Sequence, residues 1–358
     1  KMTRNNTISK EDRKAARQAK YEAIMADLRN PVKRAVRGRK VSSAATSLLR
    51  TVIFIGLSFV ILFPIFQQIM LSFRDPSDLN NPLIVWIPET WSVVNFKIAI
   101  ALTKYWQALL NNLRVSTITT ICQLACTSLA GYAFARLKFK GSNILFWLVM
   151  LTLIVPPQVT ASSRSLFFTN FDIFGIVKLF NGGKTIAIKG PGKDYIFYIM
   201  AITGQGIRAS LFIFLFRQFF RGVPVELEES AQIDGAGIVR TFWSVMLPNA
   251  RGVITTVALF AFVWQWNDVY YTSMFGVNSS DFPLLTMQII NTAEWLGNLL
   301  LRDPVFKELV SSDIRGNNMM TSLIANTEAL LMMAPILIAY LFVQKLFVEG
   351  IERTGIVG

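Results

Sequence analysis

The sequence predicts an all-α, polytopic integral membrane protein with six transmembrane helices. Three observations carry this expectation. The 358 residues are 53% hydrophobic and 16% charged, with mean hydropathy +0.44, whereas a soluble domain averages about 25% charge. The apolar excess is concentrated in six stretches near 48–70, 111–135, 143–160, 195–217, 252–275 and 327–348, and a bilayer core is crossed by about 20 such residues. Lys and Arg are unevenly shared between the segments joining them, as a membrane with two different faces requires. Each crossing must satisfy its own backbone, so helices are expected.

Residues 1–46 read as a basic N-terminal tail. Segment 1–50 holds 14 Lys and Arg against Glu11, Asp12, Glu22 and Asp27. No apolar core follows the first charges, so no signal peptide is expected. Ser9-Lys10-Glu11-Asp12 has the form of a capping box, and Asn30-Pro31 would end the helix it opens. Tyr21, Ile24, Met25 and Leu28 form a weak apolar stripe. The tail reads first as a solvated segment that fixes topology, and second as a helix resting on anionic headgroups.

Residues 47–358 read as the transmembrane domain. The third stretch is short, and Pro156-Pro157 at its end should break or kink it. The fourth contains Gly204-Gln205-Gly206 and Arg208, so it is not a plain lipid-facing rod. Six crossings put both termini on one side. Loops 136–142, with Arg136, Lys138 and Lys140, and 218–251, with Arg221, Arg240 and Arg251, share that side. The opposite loops 71–110, 161–194 and 276–326 hold 11 basic residues over a much greater length. Both termini are therefore expected in the cytoplasm. Loop 276–326, the longest outer segment, is a candidate contact for a solute-delivering protein.

Several chemistries are disfavoured. Histidine is absent, which removes the commonest metal ligand and neutral-pH proton shuttle. Cys122 and Cys126 lie four apart on one helix face and read as small packing residues; a zinc site needs more ligands. The net charge of +14 would suggest nucleic-acid binding in a soluble protein. Here its distribution reports topology, and no nucleic-acid partner is expected. Gly183-Lys184-Thr185 has the ending of a phosphate loop, but Lys178 stands where that loop needs Gly. It reads as a turn, and no ATP hydrolysis is expected in this chain.

The loop between the fourth and fifth stretches is distinctive. Pro224 is a good first-turn residue, and Glu226, Glu228 and Glu229 follow where the helix dipole favours acids. Gly235 and Gly237 permit a sharp stop, and a second short helix should end before Pro248. Residues 222–248 carry four acids against Arg240. An acidic helix with Ser230 and Ala231 suits docking into a groove of another protein. The plainer reading, an amphipathic loop on the bilayer surface, sits poorly with acids facing anionic headgroups.

This segment resembles the EAA loop of bacterial ABC importer permeases, written E-A-A, three residues, G, nine residues, I-x-L-P. The chain has Glu229-Ser230-Ala231, Gly235 and Val245-Met246-Leu247-Pro248 at that spacing, with Ser230 for Ala and Val245 for Ile. Gln218-Phe219-Phe220, Pro224, Glu226-Leu227 and Ile233-Asp234-Gly235-Ala236 resemble the carbohydrate-uptake branch. The likeness is to the maltose-type permease lacking an extra large periplasmic domain. The six-stretch layout and the Gly350 to Gly358 ending extend it over roughly residues 47–358, although the family usually ends in Val-Lys-Gly.

The resemblance implies the type I ABC importer permease fold and a non-catalytic subunit of the bacterial cytoplasmic membrane. Such a subunit forms half of a path for a sugar or oligosaccharide. The implied partners are a second permease in a heterodimer, two ATPase subunits that bind ATP and Mg, and an extracytoplasmic solute-binding protein. The implied coupling residues are Glu226, Glu229, Ser230, Ala231, Asp234, Gly235 and Pro248. An ABC permease for a non-sugar solute stays open. A secondary transporter would need inverted repeats, and the sequence shows none.

A candidate substrate path is Trp264, Trp266, Asn267 and Asp268 with Arg208. Sugars are held by aromatic faces with amide and carboxylate hydrogen bonds. An interfacial aromatic belt explains the Trp residues equally well, whereas Asn267 and Asp268 are costly beside lipid. Arg208 at a span centre would cost about 2.5–3.5 kcal/mol, so it should face protein or water, pair with Glu328 or Asp268, or snorkel outward.

Overall fold

A computed structural model describes residues 31–81, 86–172, 175–310 and 317–355, together with Ala15, Tyr21, Glu22 and Met25. The capping box at Ser9–Asp12, Ile24 and Leu28 lie outside the described residues, as do Ile356, Val357 and Gly358. Tyr21 and Met25 are helical and exposed. The chain forms two compact units, residues up to Gln67 and residues from Gln68.

The described residues are helical with no named strand. Helix α1 (Pro31–Ser72) opens on Pro31, where a missing N–H costs nothing. Its apolar part, Ala45–Ser72, is long and apolar enough to cross a membrane, as are Tyr105–Arg136 and Asn318–Lys345. Two further pairs qualify only as bent spans: Ser142–Ile154 with Pro157–Thr169 at 101°, and Ile238–Asn249 with Arg251–Trp266 at 81°. Among the described residues, three uninterrupted helices, and up to five spans with the bent pairs, therefore stand where six were expected. The fourth stretch is two helices with a break, which is why it fails as one span.

The second unit is built around α2 (Val94–Leu102), α3 (Tyr105–Arg136) and α4 (Ser142–Ile154). Helix α4 starts after Gly141 at φ +84° and stops at Val155, which the following prolines hold extended. Next come α5 (Ala161–Thr169), α6 (Ile176–Phe180), α7 (Tyr195–Ile202) and α8 (Ala209–Gly222). Between α7 and α8, Gly204 at φ +75° and Arg208 at φ +53° turn the chain out of helix.

Helix α3 is the hub, packed against α7, α8 and α12 (Arg251–Trp266). Its buried face carries Asn112, Ser116, Thr119, Gln123, Thr127 and Gly131. Small and polar residues of this kind let helices approach closely where water supplies no driving force. A Cβ on Gly131 would collide with Phe216 Cβ on α8, so only glycine admits this crossing. Segment 276–326 is helical over Leu285–Ile290, Thr292–Arg302 and Pro304–Leu309, before the last helix, Asn318–Gly355.

Candidate functional site

The acidic loop folds as helix, tight turn, helix. Helix α9 (Glu226–Ile233) ends on Gly235 at φ +80°. Ala236 N–H donates to Ala231 O at 2.9 Å and Gly235 N–H to Gln232 O at 3.0 Å. These two bonds make a Schellman stop, which needs a left-handed residue where Gly235 stands. A Cβ there would meet nothing within 4 Å, so its requirement is conformational. Helix α10 (Ile238–Thr241) then runs through a π-helical turn at Phe242–Met246 into α11 (Leu247–Asn249). Pro248 lacks the N–H that would continue an α-ladder, and a widened turn beside it relieves the mismatch.

The loop has two faces. Glu226, Glu229, Ser230, Asp234 and Gly235 are exposed, Ala231 is half-buried and Pro248 is exposed. Around them stand Ile233, Val239 and Trp243, at 86%, 71% and 56% exposure. Glu228 turns the other way. It is buried, and its Oε1 lies 3.7 Å from Arg136 Nε at the end of α3. Arg136 also donates to the Val223 carbonyl, and Tyr132 is a further neighbour of Glu228.

Behind the ion pair, Phe242 is buried with its ring 5.2 Å from Tyr132 and 6.2 Å from Phe220. Phe212, Phe216, Met246 and Val253 complete that cluster. The loop is thus fixed to α3, α8 and α12 by one charge pair and a plug of aromatic rings. From sequence Glu228 counted only as one of the loop's acids and not among the implied coupling residues. A cue existed: Ala231, three residues on, shares its helix face.

The residues proposed for a substrate path separate. The guanidinium of Arg208 lies 4.9 Å from the centre of the Trp264 ring. Trp264 in turn stacks on Phe212 and Phe260, both at 5.4 Å. Trp266 is 1% exposed, donates from Nε1 to Met332 O at 3.3 Å, and receives Asn112 on its carbonyl. Asn267 is exposed and bonds back to Val263 O. Asp268 is buried and accepts from Tyr271 N–H, Thr272 N–H and the Thr272 hydroxyl, at 3.1, 2.8 and 2.9 Å.

Arg208 therefore pairs with an aromatic face instead of Asp268 or Glu328. Asp268 caps a short helix, and Glu328 accepts from Thr292. The arrangement brings Arg208 and Trp264 together on an accessible face and commits Trp266 and Asp268 to the interior. Gly182 and Gly183 take positive φ in the turn before Lys184. Among the described residues no three of His, Cys, Asp and Glu converge to hold a metal ion.

The family described as binding-protein-dependent transport system inner membrane component matches residues 127–353. The chain is 26% identical over 323 residues to the arabinooligosaccharides transport system permease protein AraQ of Halalkalibacterium halodurans, covering 89% of this chain and all of that one. It is 28% identical over 320 residues to the maltodextrin transport system permease protein MalD of Streptococcus pneumoniae, covering 88% and 97%. In fold it is similar to a chain of a bacterial ABC transporter involved in import of the acidic polysaccharide alginate. That match has a TM-score of 0.62 at 16% identity and covers 85% of this chain and 97% of the other.

Proposed function

The chain belongs to the family of binding-protein-dependent transport system inner membrane components and is a transport permease; from that premise we propose that it imports a sugar or oligosaccharide. It does so as one of two permeases, driven by separate ATPase subunits that hold ATP and Mg and supplied by an extracytoplasmic binding protein. Two relatives matched along nearly their whole length are named for arabinooligosaccharides and for maltodextrin, which favours sugar over other solutes. The basic segments favour cytoplasmic termini. Six crossings remain the reading of the apolar stretches, with the third, fourth and fifth bent or broken.

One observation carries the coupling role. Helix α9 shows an acidic and apolar face to the exterior while Glu228 and Phe242 lock its other side to α3 and α8. A partner gripping the outer face would move α9. The Glu228–Arg136 pair and the Phe242–Tyr132–Phe220 contacts would pass that movement to the helices that line the path. Packed interfaces shift as bodies rather than deform, so nucleotide-driven closure of the ATPases would rock α3 and α8 between inward and outward openings. Arg208 and Trp264 form the proposed solute contact on this chain.

The test is Glu229→Lys in the reconstituted complex, read as solute-stimulated ATP hydrolysis and as ATPase subunit retained on purification. Both are expected to fall while oligosaccharide binding by the binding protein is unchanged. Removing one partner of a charge-assisted hydrogen bond at a desolvated boundary costs roughly 2–5 kcal/mol. Abolished transport with stimulation and retention both intact would remove α9 from the coupling path. Uptake of a non-sugar solute only, with coupling intact, would leave the permease and change its cargo.

A further inference from the structure

The turn between α3 and α4 holds a feature that coupling leaves unused. Lys138, Lys140, Arg217 and Arg221 line one cleft of about 530 Å³, walled by Phe134 and Phe139. Among the described residues no carboxylate lines it. Among the described residues none of these four cations forms an ion pair. The other lining cation, Arg136, is committed to Glu228. Like charges gathered in this way repel one another, and a bound anion relieves the repulsion.

Arg217 is held ready for such a ligand. Its Nε donates to the Phe134 carbonyl at 3.3 Å, and its guanidinium lies 3.8 Å from the centre of the buried Phe146 ring. With one edge bonded and one face stacked, the plane of the group is fixed. Its two Nη groups donate to no described residue, and together they form the fork that grips phosphate oxygens.

The surroundings say which anion. The apolar span of α3 ends at Arg136 and the apolar α4 begins at Ser142, so the cleft sits where hydrocarbon gives way to headgroups. From it α4 presents Ile144, Trp147 and Leu148 at 68%, 72% and 54% exposure. A small soluble phosphate would fill the charged half and ignore the apolar half. We infer that this cleft binds the headgroup phosphate of an anionic glycerophospholipid, whose acyl chains lie along the exposed face of α4. The inference rests on the membrane placement of α3 and α4, and on neither the cargo nor the coupling role.

The experiment takes the whole transporter in nanodiscs of phosphatidylcholine with a minor share of phosphatidylglycerol, releases it into detergent, and counts retained lipids by native mass spectrometry. Wild type is expected to retain phosphatidylglycerol in preference to phosphatidylcholine. The triple variant Lys138→Gln, Lys140→Gln, Arg221→Gln, at exposed positions, should weaken that retention on the order of a hundredfold, from about a fivefold contribution per cation. Arg217→Lys keeps the charge but loses the fork, and should weaken it less. Equal phosphatidylglycerol retention by wild type and the triple variant would overturn the assignment. So would displacement of the lipid by free inorganic phosphate, which would mark a site for a soluble anion. Glu229→Lys should leave the retention unchanged, so failure of the coupling reading and failure of this one are separable.

Discussion

In the loop around α9, Glu226, Glu229 and Asp234 face outward, and among the described residues they form no ion pair and accept no side-chain hydrogen bond. At the end of α12, Asp268 accepts three hydrogen bonds from its own chain and Trp266 is sealed in the core. Both segments are rich in polar and aromatic groups, so composition does not separate them. Their solvent does. A carboxylate in a water-exposed loop can wait for a partner protein, because water satisfies it meanwhile. A carboxylate within an apolar segment cannot wait, since leaving it unsatisfied costs several kcal/mol. Polar groups open to a partner are therefore best sought where water reaches, and within the bundle only those left accessible, such as Arg208, remain candidates.

Glu228 breaks this contrast from inside the loop and gives the largest expected effect. Each side chain of the Glu228–Arg136 pair is about 10% exposed. Glu228→Ala leaves the guanidinium nearly buried without its counter-charge, a loss of roughly 3–5 kcal/mol for a fully buried pair and toward the lower end here. Arg136→Ala should cost a similar amount. The double variant should be milder than either single change, because no lone charge remains. Thermal unfolding of the solubilised complex reads the stability. If Glu228→Ala proves silent, the aromatic plug alone holds α9.

Gly235 sharpens the comparison from the outer side. An L-residue in the left-handed region costs about 1–2 kcal/mol, and no neighbour crowds the position. Gly235→Ala should therefore lower solute-stimulated ATP hydrolysis while the unfolding of the membrane helices stays unchanged. Gly237, two residues on, has φ −73° and equally open surroundings. Gly237→Ala should have little effect, within about 0.5 kcal/mol. Equal losses at both glycines would mean that the loop tolerates no side chain at all, and that the Schellman stop is not the reason.

What the sequence made legible was local. The stop at Gly235, the break at Pro156-Pro157 and the interruption at Gly204 to Arg208 follow from glycine and proline acting on their own backbone. What it hid was non-local. Which of four acids turns inward is decided by Arg136, far away in sequence. Apolar windows count residues but not how far a bend turns the chain, so six stretches read as six crossings although two of them carried visible breaks. One missed point was available: residues two apart on a helix point about 200° apart, so Trp264 and Trp266 could not line the same path. That Asp268 would cap a helix beginning beyond Val269 was a matter of tertiary context.

Arg208 gives a small expected change in stability and the most direct reading of the accessible face at the end of α12. It is exposed, sits at φ +53° and lies over Trp264. A cation–π contact at an exposed site contributes only about 0.5–1 kcal/mol. Relief of the left-handed strain could not offset it in Arg208→Leu, because leucine resists that region as arginine does. Folding should thus change by no more than about 1 kcal/mol. If Arg208 and Trp264 contact the solute, Arg208→Leu should instead depress transport strongly at unchanged ATPase retention, and Trp264→Phe, which keeps an aromatic face, should depress it less. A fully active Arg208→Leu would remove this pair from the path and return Trp264 to the role of an interfacial ring. Asp268→Asn supplies the contrast: it keeps one acceptor oxygen and puts an NH2 donor where the other oxygen accepts, so its loss should appear in stability before it appears in transport.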